Sequence, residues 1–276
     1  MIRACSFLFL IAFVSTEHRG FAFARLAPET ARRFDQYVQA AEARMARELQ
    51  PRGFLHSDGS PDLKAKLRGG ELHVQSGTAL NGGNQTDIPG GLLQDWVGMM
   101  FIPGASIADV RAVLEDYDNY KNFYKPEVID SKIISHQDDE YNIFLRLYEK
   151  HMITVVLNAN YHVKYGTLDP KRMYVTSHSI RIAQVSHPDR SYTEEESPGD
   201  DIGLLWRLNS YWRFEEADGG VYAECEAISL SRDVPLGLGF MLKGFLERFP
   251  KESMINTLRG TKAAVAAKIG SVQQTN

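Results

Sequence analysis

Apolar residues recur along this chain at two periods, and the change from one to the other divides it. Over residues 26–50 the positions Phe34, Tyr37, Val38, Ala41, Met45 and Leu49 return every three or four residues, the spacing of one face of a helix. Pro28 fits its first turn, Glu29 suits its positive end, and Pro51 and Gly53 stop it. A short helix over 61–68 and a strand over 71–75 follow, then the turn-rich Asn81-Gly82-Gly83-Asn84 and Pro89-Gly90-Gly91. Residues 95–102 read as a buried strand closed by Pro103-Gly104. Ser106, with Asp109 three residues on, starts a helix running to about Tyr117. A second short helix over 119–124 ends at Lys125-Pro126, because the residue before a proline disfavours helix.

Period two then takes over. Strands are predicted over 128–136, 141–149, 152–167, 172–185, 204–216 and 221–232, joined by turn chemistry such as Gln137-Asp138-Asp139 and Asp218-Gly219-Gly220. The linker 186–203 is rich in acid (Asp189, Glu194, Glu195, Glu196, Asp200, Asp201) and reads as a solvated loop. Residues 235–248 form a helix that is apolar on nearly every side, so it must be buried or touch lipid. Pro250 is expected to interrupt it, and a second helix runs on to about Ile269.

The order is strand, two helices, six strands, long helix. Together with Phe101-Ile102-Pro103-Gly104-Ala105-Ser106, Asp116-Tyr117-Asp118, Tyr124-Lys125-Pro126-Glu127-Val128 and Asp233-Val234-Pro235, it resembles the START-like superfamily. That superfamily is also called SRPBCC, birch-pollen-allergen-like or helix-grip. The chain is similar to exported bacterial members whose function is unassigned. The resemblance implies an α+β helix-grip fold, with a seven-stranded antiparallel sheet wrapped around a long C-terminal helix and two small helices plugging one end. It implies a division into an N-terminal helical extension (25–90), the START-like domain (91–270) and a tail (271–276). It also implies a cavity for a lipid-like or other apolar small molecule.

Alternation places Trp206, Leu208, Trp212 and Phe214 on one face of a strand and Cys225 on the matching face of the next, all inward. With Phe240, Met241, Phe245, Met254 and Leu258 of the C-terminal helices, they either pack as core or line a cavity; both readings put the same residues inside. The opposite face carries Arg207, Tyr211, Arg213, Glu224 and Glu226. Exposed, these charges pair across strands for about 0–1 kcal/mol; inverted, Arg207, Tyr211 and Glu226, with His178, would be polar anchors in the cavity. An enzyme of the cyclase/aromatase kind is the alternative function, with His178, Tyr211 and Glu226 as its acid–base candidates. A protein-interaction module, with the N-terminal helix as its contact, is a further alternative. In the binding reading the segment 236–246 gates the cavity mouth and touches a membrane transiently. No zinc spacing, phosphate loop or dinucleotide fingerprint is present, so neither metal nor cofactor is expected.

Composition changes this picture at two points. With 31 Lys and Arg against 35 Asp and Glu, a broadly basic nucleic-acid binder is excluded. Part of the 43% apolar content sits in residues 5–14, behind Arg3 and ahead of Ala22-Phe23-Ala24. That run is too short to span a bilayer, which takes about 20 apolar residues, and reads as a signal peptide over 1–24. Export to the periplasm or beyond is therefore expected. Cleavage removes Cys5 and leaves Cys225 without a partner for a disulfide, so the folded protein depends on its core.

Overall fold

The computed structural model describes residues 25–81, 87–150, 154–197, 201, 204–233 and 239–275; the side chains of 79, 81, 239–247 and 272–275 are outside the description. The signal-peptide segment and residues 234–238 therefore lie outside the described residues. The helices are α1 (Pro28–Glu48), α2 (Pro61–Arg68), α3 (Ile107–Leu114), α4 (Tyr120–Phe123) and α5 (Gly239–Thr275). The strands are β1 (His73–Ser76), β2 (Gly91–Pro103), β3 (Val128–Gln137), β4 (Glu140–Lys150), β5 (Thr154–Asp169), β6 (Arg172–Gln184), β7 (Arg207–Ala217) and β8 (Gly220–Arg232).

Local chemistry accounts for the boundaries. Pro28 occupies the first turn of α1, where its missing N–H costs nothing. Ser106 and Asp109 cap α3 reciprocally: the Asp109 N–H donates to Ser106 Oγ at 3.2 Å and the Ser106 N–H to Asp109 Oδ2 at 2.9 Å. The β7–β8 hairpin turns on Asp218 and Gly219, both left-handed at φ 53° and 77°, the pair that a two-residue primed turn demands.

The strands form one antiparallel sheet in the order β1-β2-β8-β7-β6-β5-β4-β3. This is the helix-grip arrangement, with one strand more than the seven expected. His73–Ser76 pairs with β2 from Trp96 to Met99, so the N-terminal extension supplies an edge strand. Pro250 does not end a helix as expected: α5 runs through it. A proline forfeits a single amide hydrogen bond, and a long helix packed on a sheet tolerates that loss.

Both faces of the sheet are covered over β2, β7 and β8, while Ile134 on β3 and Ile180 on β6 stay exposed. The concave face, α3 and α5 share one core that includes Met100, Ile143, Tyr161, Val175, Phe214, Cys225 and Leu258. On the convex face the α1 stripe of Phe34, Tyr37, Val38, Ala41 and Met45 packs on Leu93, Trp206, Tyr211, Ile228 and Leu230. Beside it, Phe54, Leu55 and Leu67 cover Val97, Met99, Phe101 and Tyr222. No helix among the described residues is long and apolar enough to cross a membrane.

The approach of α5 to the sheet is fixed at Gly98 of β2. A Cβ there would lie 2.7 Å from the Met254 Sδ and 2.8 Å from the Leu258 Cδ1. Gly98→Val is expected to destabilise the protein by about 1–3 kcal/mol, the usual range for overpacking a tight core. Chemical denaturation would measure it; an unchanged midpoint would show that α5 is not seated there.

Candidate functional site

The concave face does not close fully on α5. A cavity of 290 Å³ remains between them, walled by β2 and β4 to β8, the first turns of α5 after Phe249, and the α3–α4 plug. Leu208, Trp212, Cys225 and Met254 lie on its wall, as alternation and helical spacing predicted. Trp96, Ile143, Leu145, Val155, Leu157 and Val163 extend the apolar surface. Cys225 and Ala227 on β8 and Ser210 on β7 are small side chains on the wall, and this leaves the space.

Several expected wall residues are placed elsewhere. Phe214 and Leu258 are fully buried in the core and do not line the cavity; Phe214 lies behind Trp212, stacked at 5.3 Å between ring centroids. Trp206 is on the other side of the sheet, under α1. Strand pairing begins at Arg207, and Trp206 sits in the bend before it, where its N–H donates to Leu230 O at 2.8 Å. Alternation does not carry across that bend. Phe240, Met241 and Phe245 belong to the part of α5 whose side chains are outside the description.

The plug contributes what the apolar pattern missed. Tyr117, Tyr120 and Tyr124 line one end of the cavity. Their i, i+3, i+7 spacing in the sequence marks a shared helical face and was the available signal. Their hydroxyls are spoken for. Tyr117 and Tyr165 share a hydrogen bond of 2.7 Å, Tyr120 donates to Leu114 O at 2.7 Å, and Tyr124 meets Thr261 Oγ1 at 3.0 Å. Burial pushes Tyr124 up to about 12 and holds it neutral. Burial also raises the Cys225 thiol well above its ordinary value, with Glu226 and Glu224 adding to the effect, so it is a packing group and not an activated nucleophile.

The polar candidates do not enter the cavity. Tyr211 and Glu226 lie on the convex face under α1, where the Arg44 Nη2 donates to both Glu226 carboxylate oxygens at 2.6 and 2.7 Å. His178 Nε2 is 2.7 Å from Glu42 Oε1 on α1, and the Tyr211 hydroxyl donates to the same oxygen at 2.8 Å. Arg207 donates to Trp206 O at 3.0 Å and is not on the cavity wall. The cross-strand pair expected to be exposed is buried: the Arg213 Nε donates to Glu224 Oε1 at 3.1 Å with both residues inside. Their burial follows from α1 and the turn at His56–Gly59 lying over the face that the alternation left polar. A carboxylate and a guanidinium removed from water must be paired, and here they are. The loop after β6 is likewise tied down, with Glu195 accepting from Arg181 and Asn158. Among the described residues no group of three or more His, Cys, Asp or Glu is placed to hold a metal ion.

In this layer Arg44 and Arg213 pair with three carboxylates, Glu48, Glu224 and Glu226, and a fourth, Asp95, accepts from the Tyr37 hydroxyl at 2.6 Å. Burial first, and then the charge of Asp95, push Glu226 up to about 7 against the pull of Arg44. A folded value above the ordinary 4.5 means that the folded state holds the proton more tightly. The resulting stabilisation is present below about 4.5 and is lost as pH rises through 7. Glu226→Gln removes that titration. The stability difference between the native protein and this variant is expected to move in the variant's favour by a few kcal/mol from pH 5 to pH 8, since each tenfold gain in proton affinity on folding is worth about 1.4 kcal/mol. A pH-independent difference, read by denaturation at each pH, would contradict it.

No family model matches the chain, and no curated protein matches its sequence. Among solved structures it is similar to a fragment of a STAR-related lipid transfer protein from Xanthomonas axonopodis, at 17% identity and a TM-score of 0.45, over 66% of this chain and 97% of that one. It is also similar to the Zhui aromatase/cyclase from Streptomyces sp. R1128, at 11% identity and a TM-score of 0.44, over 64% and 96%. Human STARD10 matches at 10% identity and a TM-score of 0.43, over 69% and 75%. The functional reading rests on the cavity itself.

Proposed function

We propose that this protein binds a lipid-like or other apolar small molecule between the concave face of the sheet and α5, without performing chemistry on it. One observation carries the reading: a 290 Å³, mainly apolar cavity that opens beside the core between the sheet and α5. Its volume of 290 Å³ falls just below the range of about 300–1,000 Å³ for sites that take drug-sized molecules, so it suits only a compact ligand. An apolar molecule entering it leaves water on most of its surface, at about 25 cal/mol per Å² buried. The acid–base groups that a cyclase-like reading requires, His178, Tyr211 and Glu226, face α1 across the sheet, which favours binding over catalysis.

Filling the cavity tests this. Ala227 is on the wall and is half-buried, so Ala227→Phe has open space to enter. The variant is expected to bind the neutral dye N-phenyl-1-naphthylamine at least tenfold more weakly than the native protein, with no loss in unfolding midpoint. Equal dye binding in the folded variant would place the dye outside the cavity and count against the reading.

Export is part of the same proposal. A binding protein carrying Arg3, an apolar run over 5–14 and Ala22-Phe23-Ala24 would be delivered outside the cytoplasm with Arg25 as its first residue. Expression in a bacterial host followed by N-terminal sequencing of the periplasmic fraction is expected to read Arg25-Leu26-Ala27. Recovery of only the uncleaved chain, in the cytoplasm, would contradict it.

A further inference from the structure

The sheet side of the cavity wall is mainly apolar but carries a set of hydroxyls that the protein does not use. Tyr161 on β5 is 5% exposed and lines the cavity, and unlike the plug tyrosines it has no hydrogen-bond partner among the described residues. Its hydroxyl is not among the polar atoms sealed inside the protein, so it reaches the cavity. Ser177 on β6, Ser210 on β7, and Ser229 and Ser231 on β8 also line the wall without a side-chain partner among the described residues, and Ser231 is 7% exposed.

Register sets most of these groups in a row. Ser177 is directly opposite Ser210. Ser210 pairs with Ala227, so Ser229 is its diagonal neighbour. Tyr161 pairs with Ser179, which makes it the diagonal neighbour of Ser177. Direct neighbours on one face of a sheet are about 5 Å apart and diagonal ones about 7–8 Å, so these side chains spring from a row of positions across four strands, with the Tyr161 ring standing farther off the sheet than the serines.

Ser177, Ser210 and Ser229 are half-buried and reachable by water, but a ligand that covered these hydroxyls without bonding them would incur about 1–3 kcal/mol for each, so they favour a ligand that carries oxygens. The charged groups on the wall are Glu127 and Glu149, both acidic and both half-buried. No cation lines the cavity among the described residues, so an anionic ligand would bury an unpaired charge.

We infer that the ligand is a neutral apolar molecule bearing ketone or hydroxyl oxygens along one edge, read by Tyr161, Ser177 and Ser210, and that carboxylates are rejected. This rests on the cavity being the binding site and narrows what it binds.

Three matched probes and one variant test it by calorimetry: 2-acetylnaphthalene (a neutral ketone), 2-ethylnaphthalene (its hydrocarbon counterpart) and 2-naphthoate (an anion). The native protein is expected to bind the ketone roughly three- to tenfold more tightly than the hydrocarbon, the range that one net hydrogen bond gives. Naphthoate is expected to bind at least about 100-fold more weakly than the ketone, because its charge is buried unpaired. In the triple variant Tyr161→Phe, Ser177→Ala, Ser210→Ala the ketone's advantage falls to about one while the hydrocarbon's affinity holds. None of the three side chains makes a hydrogen bond among the described residues, so the variant is expected to fold; if it does not, Tyr161→Phe alone carries the comparison. Equal binding of ketone and hydrocarbon by the native protein, an advantage that survives in the variant, or naphthoate binding as well as the ketone would each overturn the inference while leaving the cavity reading intact. Failure of the hydrocarbon itself to bind would overturn both.

Discussion

The alternation of β7 and β8 between two buried faces is the constraint on which the rest depends. In β8, Val221, Ala223, Cys225 and Ala227 face α5 while Tyr222, Glu224, Glu226 and Ile228 face α1 and its neighbours. Side chains on a strand alternate strictly, so a one-residue slip would drive both glutamates into an apolar cavity. Arg213 on β7 and Arg44 on α1 hold those glutamates on the convex side. The ion pairs on the opposite face of the sheet thereby keep the register that builds the cavity wall. Such pairs add little net stability over apolar residues of the same shape, yet losing one partner strands a charge at a cost of about 3–5 kcal/mol.

The cavity is a consequence of where small residues fall. At Gly98 the absence of a side chain lets Met254 and Leu258 come close to β2 and seats α5 on the sheet. Across the neighbouring strands Cys225, Ala227 and Ser210 are too small to fill the span beneath the helix. One set of small residues closes the grip and the other leaves it hollow. The plug tyrosines close one end with their hydroxyls bonded to Tyr165, Leu114 O and Thr261, so a tyrosine hydroxyl left to a ligand is that of Tyr161 on the sheet.

Much of this was legible in the sequence, and the misses have physical causes. The α1 stripe, the Ser106–Asp109 cap, the hairpin turns and the inward placement of Leu208, Trp212 and Cys225 follow from local periodicity and turn chemistry, which tertiary contacts did not override. Trp206 was misplaced because alternation holds within a paired strand and not across the bend that precedes it. The charged face of β7 and β8 was expected to be exposed because a strand's own pattern does not reveal that a distant helix will cover it. The edge strand His73–Ser76 was read as a strand, but its partner β2 lies beyond a turn-rich loop, and pairing at that distance is not encoded locally. The hydroxyl row needs the register of four strands at once, and no single stretch of sequence carries it.

The three tryptophans offer a direct report on the central claim. Trp96 and Trp212 line the cavity, and Trp206 lies on the opposite face of the sheet under α1. Titrating 2-ethylnaphthalene into ¹⁵N-labelled protein and following the indole N–H resonances separates the two faces in one experiment. The expected result is saturable movement of the Trp96 and Trp212 signals with Trp206 unmoved. Movement confined to Trp206, or no movement of any indole signal at saturating ligand, would contradict binding between the sheet and α5.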